Sequence, residues 1–453
     1  MNLFAKLSAR HEAGHPVRVG LIGAGKFGSM FLAQALKIPA LHIAGIADLS
    51  PDTARGNLAL VGWKKEAYSA MNLDSACAQQ TSFITDDPAC LIADDRIEII
   101  IEATGDPLTA VDHIISALNA RKHVINVTVE ADAFCGPALA LHAEKVGQIY
   151  SMAYGDQPAL VCDLVDWART CGFTVMAAGR GHKWEPHYRF STPDTIWDYW
   201  GLTREQAERG RLNPKMFNAF LDGSKPAIES AAIANACRLQ VPERGLSFPS
   251  GSIDDIPQLM RPKAIGGILD HSHMVEVVSS LTTDGEPVAY DIRKGVWVCI
   301  EADTDYVRNC FEEYKITTDD TGCYSCLYKR WHMIGLELGM SVGAIAVRGE
   351  ASGAASCFHA DVAAVAKAAL PAGTVLDGEG GATIYGGLRP AKVSVENRYL
   401  PLGLSNKARL IKPVLPDQIL TFDDVELDAS RLAFQMRRET EALLNRDEFM
   451  DAR

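Results

Sequence analysis

Several features are missing from this chain, and each absence removes a class of protein. No stretch approaches the roughly 18 uncharged apolar residues of a membrane-spanning helix. The opening MNLFAKLSARHEAGHP carries Lys6, Arg10 and Glu12 where a signal peptide would have an apolar run. Positive charge is in deficit: 44 Lys and Arg against 57 Asp and Glu leave a net charge of -13, which opposes the counterion-releasing grip of a nucleic-acid binder. Any anionic substrate therefore has to meet a local cationic pocket. The 11 cysteines are odd in number and irregularly spaced, unlike a secreted disulfide framework. Cys323-x-x-Cys326 has no second CxxC to complete a zinc site. The expectation is a cytoplasmic protein that binds neither nucleic acid nor membrane. What is present is 47% hydrophobic and 22% charged residues over 453 positions, enough for two or three globular domains.

The most informative stretch is VGLIGAGKFGSM, in which Gly23, Gly25 and Gly28 form a G-x-G-x-x-G pattern. Val17 to Ile22 is an apolar run of strand type, and the residues from Phe27 onward have helical spacing, so the glycines fall at a strand-to-helix turn. In that context Gly23 permits the tight turn, Gly25 lets the backbone approach a pyrophosphate, and Gly28 lets helix and strand pack closely. Ala24, Lys26 and Phe27 complete the loop, and the helix N-terminus presents unpaired N–H groups to phosphates. LHIAGIAD ends at Asp48, 20 residues after Gly28, where a carboxylate meets a ribose hydroxyl and repels a 2′-phosphate, pointing to NAD. Arg55, and more remotely Lys64 and Lys65, are the cations that would compensate in favour of NADP, so both cofactors stay open. The later strand-like segments IEIIIEATG and KHVINVT flank a helical AVDHIISALNA. Continuous apolar strands alternating with helices predict an α/β fold with a parallel sheet, a Rossmann domain over 1–155. Ala103, Thr104 and Gly105 at a strand end are expected near the ribose and nicotinamide.

Residues 156–350 read as an α+β catalytic and oligomerisation domain, ASGAAS as a connection, and 357–453 as a small β-rich module ending in the amphipathic helix LAFQMRRETEALLNRDEF. Within that module AKAALPAGTVL and IKPVLPDQIL echo one another. The middle domain holds three polar clusters. GRGHKWEPHYRFSTPDTIWDYWG is basic within an acidic protein and gathers Arg180, His182, Lys183, Glu185, His187 and Arg189 among aromatics. Lys183 and Arg189 suit an anionic substrate, and a lysine or histidine there can move a proton; the alternative is a solvated surface loop. Asn218, Asp222, Lys225 and Glu229 recur at spacings of four, three and four, one face of a continuous helix. Pro226 at a helix start would instead make Asp222-Gly223-Ser224 a turn and cap. Either way Lys225 and Glu229 are neighbours, an acid/base pair or an exposed salt bridge. His332 and Glu337 lie in an apolar setting, and Asp254, Asp255, His271 and His273 offer donors for Mg²⁺ or Mn²⁺ without a diagnostic spacing.

Together, VGLIGAGKFG, EATG, YGDQP, FLDGSKPAIE and YKRWHMIGLELG resemble the homoserine-dehydrogenase-like oxidoreductases with a C-terminal SAF domain, over nearly the whole chain. The two echoes match the SAF-like module. Within that group the likeness is to the 1-deoxy-D-xylulose 5-phosphate reductoisomerase-like enzymes. The resemblance implies NADPH-dependent rearrangement and reduction of a small phosphorylated sugar to 2-C-methyl-D-erythritol 4-phosphate, an isoprenoid precursor, by a homodimer. It implies catalytic roles for Lys183, Asp222, Lys225 and Glu229, and substrate contacts from His182, Arg189, Asn218 and His332. The alternative is a homoserine-dehydrogenase-like dehydrogenase of another small hydroxy acid or polyol; a dinucleotide-binding sensor would tolerate loss of Lys225 and Glu229.

Overall fold

Short apolar strands separated by helices build an all-parallel sheet in the order β3-β2-β1-β4-β5-β6. The strands are β1 (Val17–Ile22), β2 (Leu41–Ala47), β3 (Phe83–Thr85), β4 (Ile99–Glu102), β5 (His123–Asn126) and β6 (Tyr150–Met152). This is the doubly wound order that reverses direction between β1 and β4. Val19, Leu21, Ile99, Ile101 and Ile125 are fully buried, because helices cover both faces and leave no solvated side to alternate with. The apolar pattern locates β1, β2, β4 and β5. The three-residue β3 and β6 are too short to show a period. The computed structural model describes residues 2–210 and 212–444; the end of the predicted terminal helix, 445–449, lies outside them.

The chain gathers into two compact units that are not consecutive segments. The first comprises the chain up to Leu160 together with Met333–Ala355, although 333–350 was expected in the middle domain. The helix Gly339–Arg348 buries Val342 and Ile345 in one core with Leu7, Phe31 and Leu32. Gly335 (φ 77) lies so near the helix Lys26–Ala35 that a Cβ there would come 2.7 Å from that of Met30. Close approach through small residues decides this packing, and a linear sequence does not display it.

The second unit comprises Val161–His332 and, among the described residues, 356–444. Its mixed sheet has the order β10-β9-β7-β8, with β7 (Thr174–His182), β8 (Met274–Ser279), β9 (Val296–Glu301) and β10 (Tyr324–Lys329). β7 runs parallel to β8 and antiparallel to β9. Arg180 and His182 therefore sit in a central strand, which corrects the surface-loop alternative for this end of the segment. Gly179 and Gly181 make that strand: a Cβ on either would strike a backbone carbonyl, of Glu276 or Ile292.

The C-terminal segment, expected as a separate module, packs within this second unit. β11 (Ala360–Ala366) pairs antiparallel with β12 (Ile384–Pro390), and the helix Ser224–Cys237 rests on both. Asn235 of that helix accepts the His359 and Ala360 N–H groups at 2.8 and 2.9 Å and donates to the Ala360 carbonyl at 3.0 Å. The two echoes pair with each other, Leu370 and Val414 exchanging N–H···O bonds of 3.0 Å. Their lysines part ways: Lys367 is buried, and Lys412 meets Asp424 at 2.9 Å in a half-exposed pair. The described chain ends after the helix Leu432–Glu441. Among the described residues no helix is long and apolar enough to cross a membrane.

Candidate functional site

β1 ends at Ile22, and the chain turns through Gly23 (φ 97) into the helix Lys26–Ala35, with Gly25 as its N-cap. A Cβ on Gly23 would come 2.5 Å from the Ala103 carbonyl oxygen, and one on Gly28 would strike the carbonyl of Gly23. A Cβ on Gly25 would meet nothing within 4 Å. The backbone there borders open space, the cradle that a pyrophosphate needs beside the unpaired first-turn N–H groups. Asp48 follows β2, and its carboxylate accepts the Ala24 N–H at 2.9 Å and the Ser50 N–H at 2.9 Å. Asn57 donates to the Ala24 carbonyl at 2.9 Å, tying the same loop from the other side. Arg55 is engaged by Asp52 at 3.0 Å. Lys26 is exposed, and Phe27 packs on the core. The set fits a dinucleotide.

At the end of β4 the fully buried Glu102 organises the turn that follows. It accepts the Thr104 N–H at 3.2 Å, the Thr104 hydroxyl at 2.5 Å and the Thr128 hydroxyl at 2.5 Å. The Gly105 N–H in turn donates to Thr128 Oγ1 at 3.1 Å. Ala103, Thr104 and Gly105 are thus held at the strand edge where nicotinamide is expected. Thr128, which follows β5, escaped the sequence reading because nothing in HVINVT sets it apart.

Deeper in the same unit, Asp132 accepts from Tyr150 Oη and Asn126 Nδ2, each at 2.8 Å. Burial pushes its carboxyl pKa up to about 7. A value raised above the unfolded reference of about 3.9 means that the folded state keeps a proton between about pH 4 and 7 that the unfolded chain has lost. Stability contributed at this site therefore falls as pH rises through that window, by on the order of 4 kcal/mol at its upper end. Asp132→Asn is expected to flatten that slope, read as a smaller stability difference between pH 4.5 and 7.5 in chemical denaturation. An unchanged difference would show that Asp132 is ionised in the folded protein.

In the second unit the run expected as one helix is broken. The helix Pro214–Leu221 ends, Gly223 takes φ 88, and Ser224–Cys237 begins with Pro226 in its first turn, because proline is tolerated only there. Asn218 and Asp222 turn inward. Asn218 accepts from Ser191 Oγ at 2.6 Å and donates to the Gly380 carbonyl at 2.9 Å. Asp222 accepts the Ser224 N–H at 2.9 Å and Lys367 Nζ at 2.8 Å. Lys367 also donates to the carbonyls of Ser191 and Gly381, at 2.7 Å each, so all its ammonium donors are used. Asp222 and Asn218 are buried and satisfied; the expected catalytic and substrate contacts are corrected to a structural lock on the helix break. Lys367 carried no signal in the sequence beyond its place in an echo.

Glu229, 1% exposed, forms an ion pair with the equally buried Arg180 of β7, which rules out the exposed salt bridge. Arg180 Nη2 faces His182 Nδ1 at 3.4 Å, and His182 Nε2 lies 2.6 Å from the Phe220 carbonyl. A carbonyl only accepts, so Nε2 carries the proton and Nδ1 is the lone-pair side. Burial, aided by the Arg180 charge, holds the His182 pKa down to about 3. His182 is neutral and enclosed, a correction to its expected substrate contact. His332 is half-buried and donates from Nδ1 to the Lys294 carbonyl at 2.8 Å.

Lys183, Arg189 and Lys225 keep partial exposure. Lys183 donates to the Tyr199 carbonyl at 2.7 Å, with its ammonium 5.9 Å from the Tyr188 ring and 5.7 Å from that of Trp200. Burial and the charge of Arg293 lower its pKa, which makes its ammonium a better proton donor near neutrality. Arg189 stands 5.5 Å from the ring centres of both Trp184 and Tyr385. The proposed metal donors do not converge: Asp255 accepts from Ser252, and His273 donates to the Val175 carbonyl at 2.6 Å. Among the described residues no three His, Cys, Asp or Glu side chains form an ion's donor set.

Residues 155–338 match a family described as the catalytic domain of oxidoreductase DRL. No curated protein matches the chain. Among solved structures, an oxidoreductase domain protein from Kribbella flavida is similar at 17% identity and a TM-score of 0.28, over 39% of this chain and 46% of that one. An NAD binding oxidoreductase from Klebsiella pneumoniae is 16% identical, with a TM-score of 0.28 over 39% and 47%. Scyllo-inositol dehydrogenase from Lactobacillus casei, solved with NAD(H) and scyllo-inositol, is 14% identical, with a TM-score of 0.25 over 37% and 46%. The matched stretch spans less than half of each of these proteins.

Proposed function

We propose that this chain, an NAD(P)-dependent oxidoreductase, rearranges 1-deoxy-D-xylulose 5-phosphate and reduces the resulting aldehyde to 2-C-methyl-D-erythritol 4-phosphate. The observation that carries the reading is the family match over 155–338, the stretch that holds Lys183, Arg189 and Lys225. Bound NAD(P)H supplies the hydride. The rearrangement requires a hydroxyl proton to leave while the ketone oxygen is polarised, and the reduction requires a proton for the new alkoxide. Lys183, with its lowered pKa, delivers that proton from Nζ. Lys225, half-buried in the first turn of its helix, polarises the ketone oxygen with its ammonium, while the hydroxyl proton leaves to water. Arg189 attracts the substrate phosphate.

The test is cofactor oxidation by the purified protein with deoxyxylulose phosphate, using NADPH or NADH, with and without Mn²⁺, and product identification by mass and NMR. Methylerythritol phosphate is the expected product, and Lys183→Ala is expected to lower kcat by about 10²–10⁴-fold. Dinucleotide binding without turnover would sink the reading and leave the dehydrogenase of another polyol or hydroxy acid. Of the two cofactors, Asp48 favours NADH, since its carboxylate stands at the strand end where a 2′-phosphate would be repelled. Asp48→Ser is expected to shift the kcat/KM ratio toward NADPH by at least about tenfold, a change of about 1.4 kcal/mol. An unmoved ratio would show that Asp48 does not select the cofactor.

A further inference from the structure

Two guanidinium groups of the second unit have no acid to answer them. Arg189 stands 5.5 Å from the Tyr385 ring centre and Arg389 follows Tyr385 on the same strand β12, the charge of each being felt at Tyr385, and among the described residues no carboxylate lies within ion-pair distance of either. Arg389 makes one hydrogen bond, to the carbonyl of its own neighbour Leu388 at 2.7 Å. The nearby Asp417 is taken by the Tyr385 hydroxyl at 3.1 Å. Trp184 and Tyr385 hold the Arg189 guanidinium at 5.5 Å from each ring, and Trp184 is itself stacked on Phe248 at 4.1 Å. The indole Nε1–H of Trp184 is buried and has no acceptor among the described residues. Arg389 lies beside Gly245, where a Cβ would come 2.9 Å from its Nη1, so the glycine makes room for the side chain.

In a protein of net charge -13, two partly buried like charges within reach of one another's field are an arrangement that an incoming anion relieves. Burial first, and more weakly the charge of Arg189, lower the pKa of Arg389, with Tyr385 and Tyr399 acting the other way. The place in the fold is also informative. Gly386, next to Tyr385, donates its N–H to Ser224 Oγ at 2.8 Å, at the start of the helix that bears Lys225.

We propose that Arg189 and Arg389, together with Tyr385, form a binding site for the phosphate of a phosphate monoester. Planar guanidinium forks suit tetrahedral oxyanions through paired N–H···O bonds, and the aromatic walls fix one fork in advance. Arg389 comes from the C-terminal segment, so that segment contributes to substrate recognition through it. Identification of the monoester as deoxyxylulose phosphate rests on the function proposed above; the site itself does not.

The test is calorimetric titration of the full-length protein with inorganic phosphate, 1-deoxy-D-xylulose 5-phosphate and unphosphorylated 1-deoxy-D-xylulose, in the parent and in Arg389→Gln, Arg189→Gln and Arg389→Lys. Loss of one charge-assisted contact is expected to weaken both phosphate-bearing ligands by roughly ten- to a hundredfold. Affinity for the unphosphorylated sugar and for NADH is expected to be unchanged, with partial recovery in Arg389→Lys. If Arg389→Gln does not fold, Arg189→Gln and Arg389→Lys carry the comparison. The proposal is overturned if folded variants bind inorganic phosphate as the parent does, or if the parent shows no phosphate binding at millimolar concentration. Phosphate binding lost in the variants without turnover of deoxyxylulose phosphate would uphold the site and reject the substrate. Turnover with KM unchanged in the variants would do the reverse.

Discussion

Glu229→Ala is expected to destabilise the second unit by about 3–5 kcal/mol, because it removes one carboxylate from a buried ion pair with the Arg180 guanidinium. Both side chains are almost wholly enclosed, so water cannot take the place of the lost carboxylate. Two further contacts of Arg180, with the Gly181 carbonyl at 3.2 Å and with the His182 lone pair at 3.4 Å, carry no full negative charge. Replacing both partners with apolar residues of similar volume, as in Arg180→Met with Glu229→Leu, should recover most of the loss. Denaturant unfolding of the two singles and the double measures the coupling. If Glu229→Ala unfolds within 1 kcal/mol of the parent yet turnover collapses, Glu229 is an acid or base of the reaction and the structural assignment fails.

Gly25→Ala and Gly28→Ala are expected to separate binding from folding. A methyl on Gly25 meets no protein atom within 4 Å, so the fold should survive with its melting temperature near that of the parent. That methyl would occupy the space a pyrophosphate needs, and dinucleotide affinity should fall by about a hundredfold or more. At Gly28 the methyl strikes the carbonyl of Gly23, a backbone group that cannot rotate away. The helix must then move off β1, so stability and binding should fall together. Fluorescence titration with NADH alongside thermal unfolding reads both quantities. Equal NADH affinity in Gly25→Ala and the parent would mean that the dinucleotide does not lie along this loop.

How much of the candidate site could be read in advance depended on whether the signal was local. The glycine turn, Asp48 and the EATG turn are all short-range: each needs only a strand, a turn and a few neighbours, and the structure shows the backbone the pattern calls for. The polar clusters of the middle region are marked only by residue type and spacing, which do not show that Asp222, Asn218, His182 and Glu229 are enclosed. A carboxylate or imidazole in a sequence looks the same whether solvent or a distant cation will meet it. Lys367 reaches Asp222 across 145 positions, and Arg180 reaches from strand β7 to Glu229 on a helix. Neither partner leaves a periodic trace.

By itself the sequence determined the α/β class, the parallel sheet and the dinucleotide turn, because these follow from hydrophobic period and from backbone conformations that only glycine adopts freely. Tertiary structure alone decided which polar side chains are sealed inside. Burial, and with it the state of His182 and Asp132, is set by what packs on top. It also decided that residues 333–355 join the first unit and the C-terminal segment the second, since close packing depends on matching surfaces from remote parts of the chain.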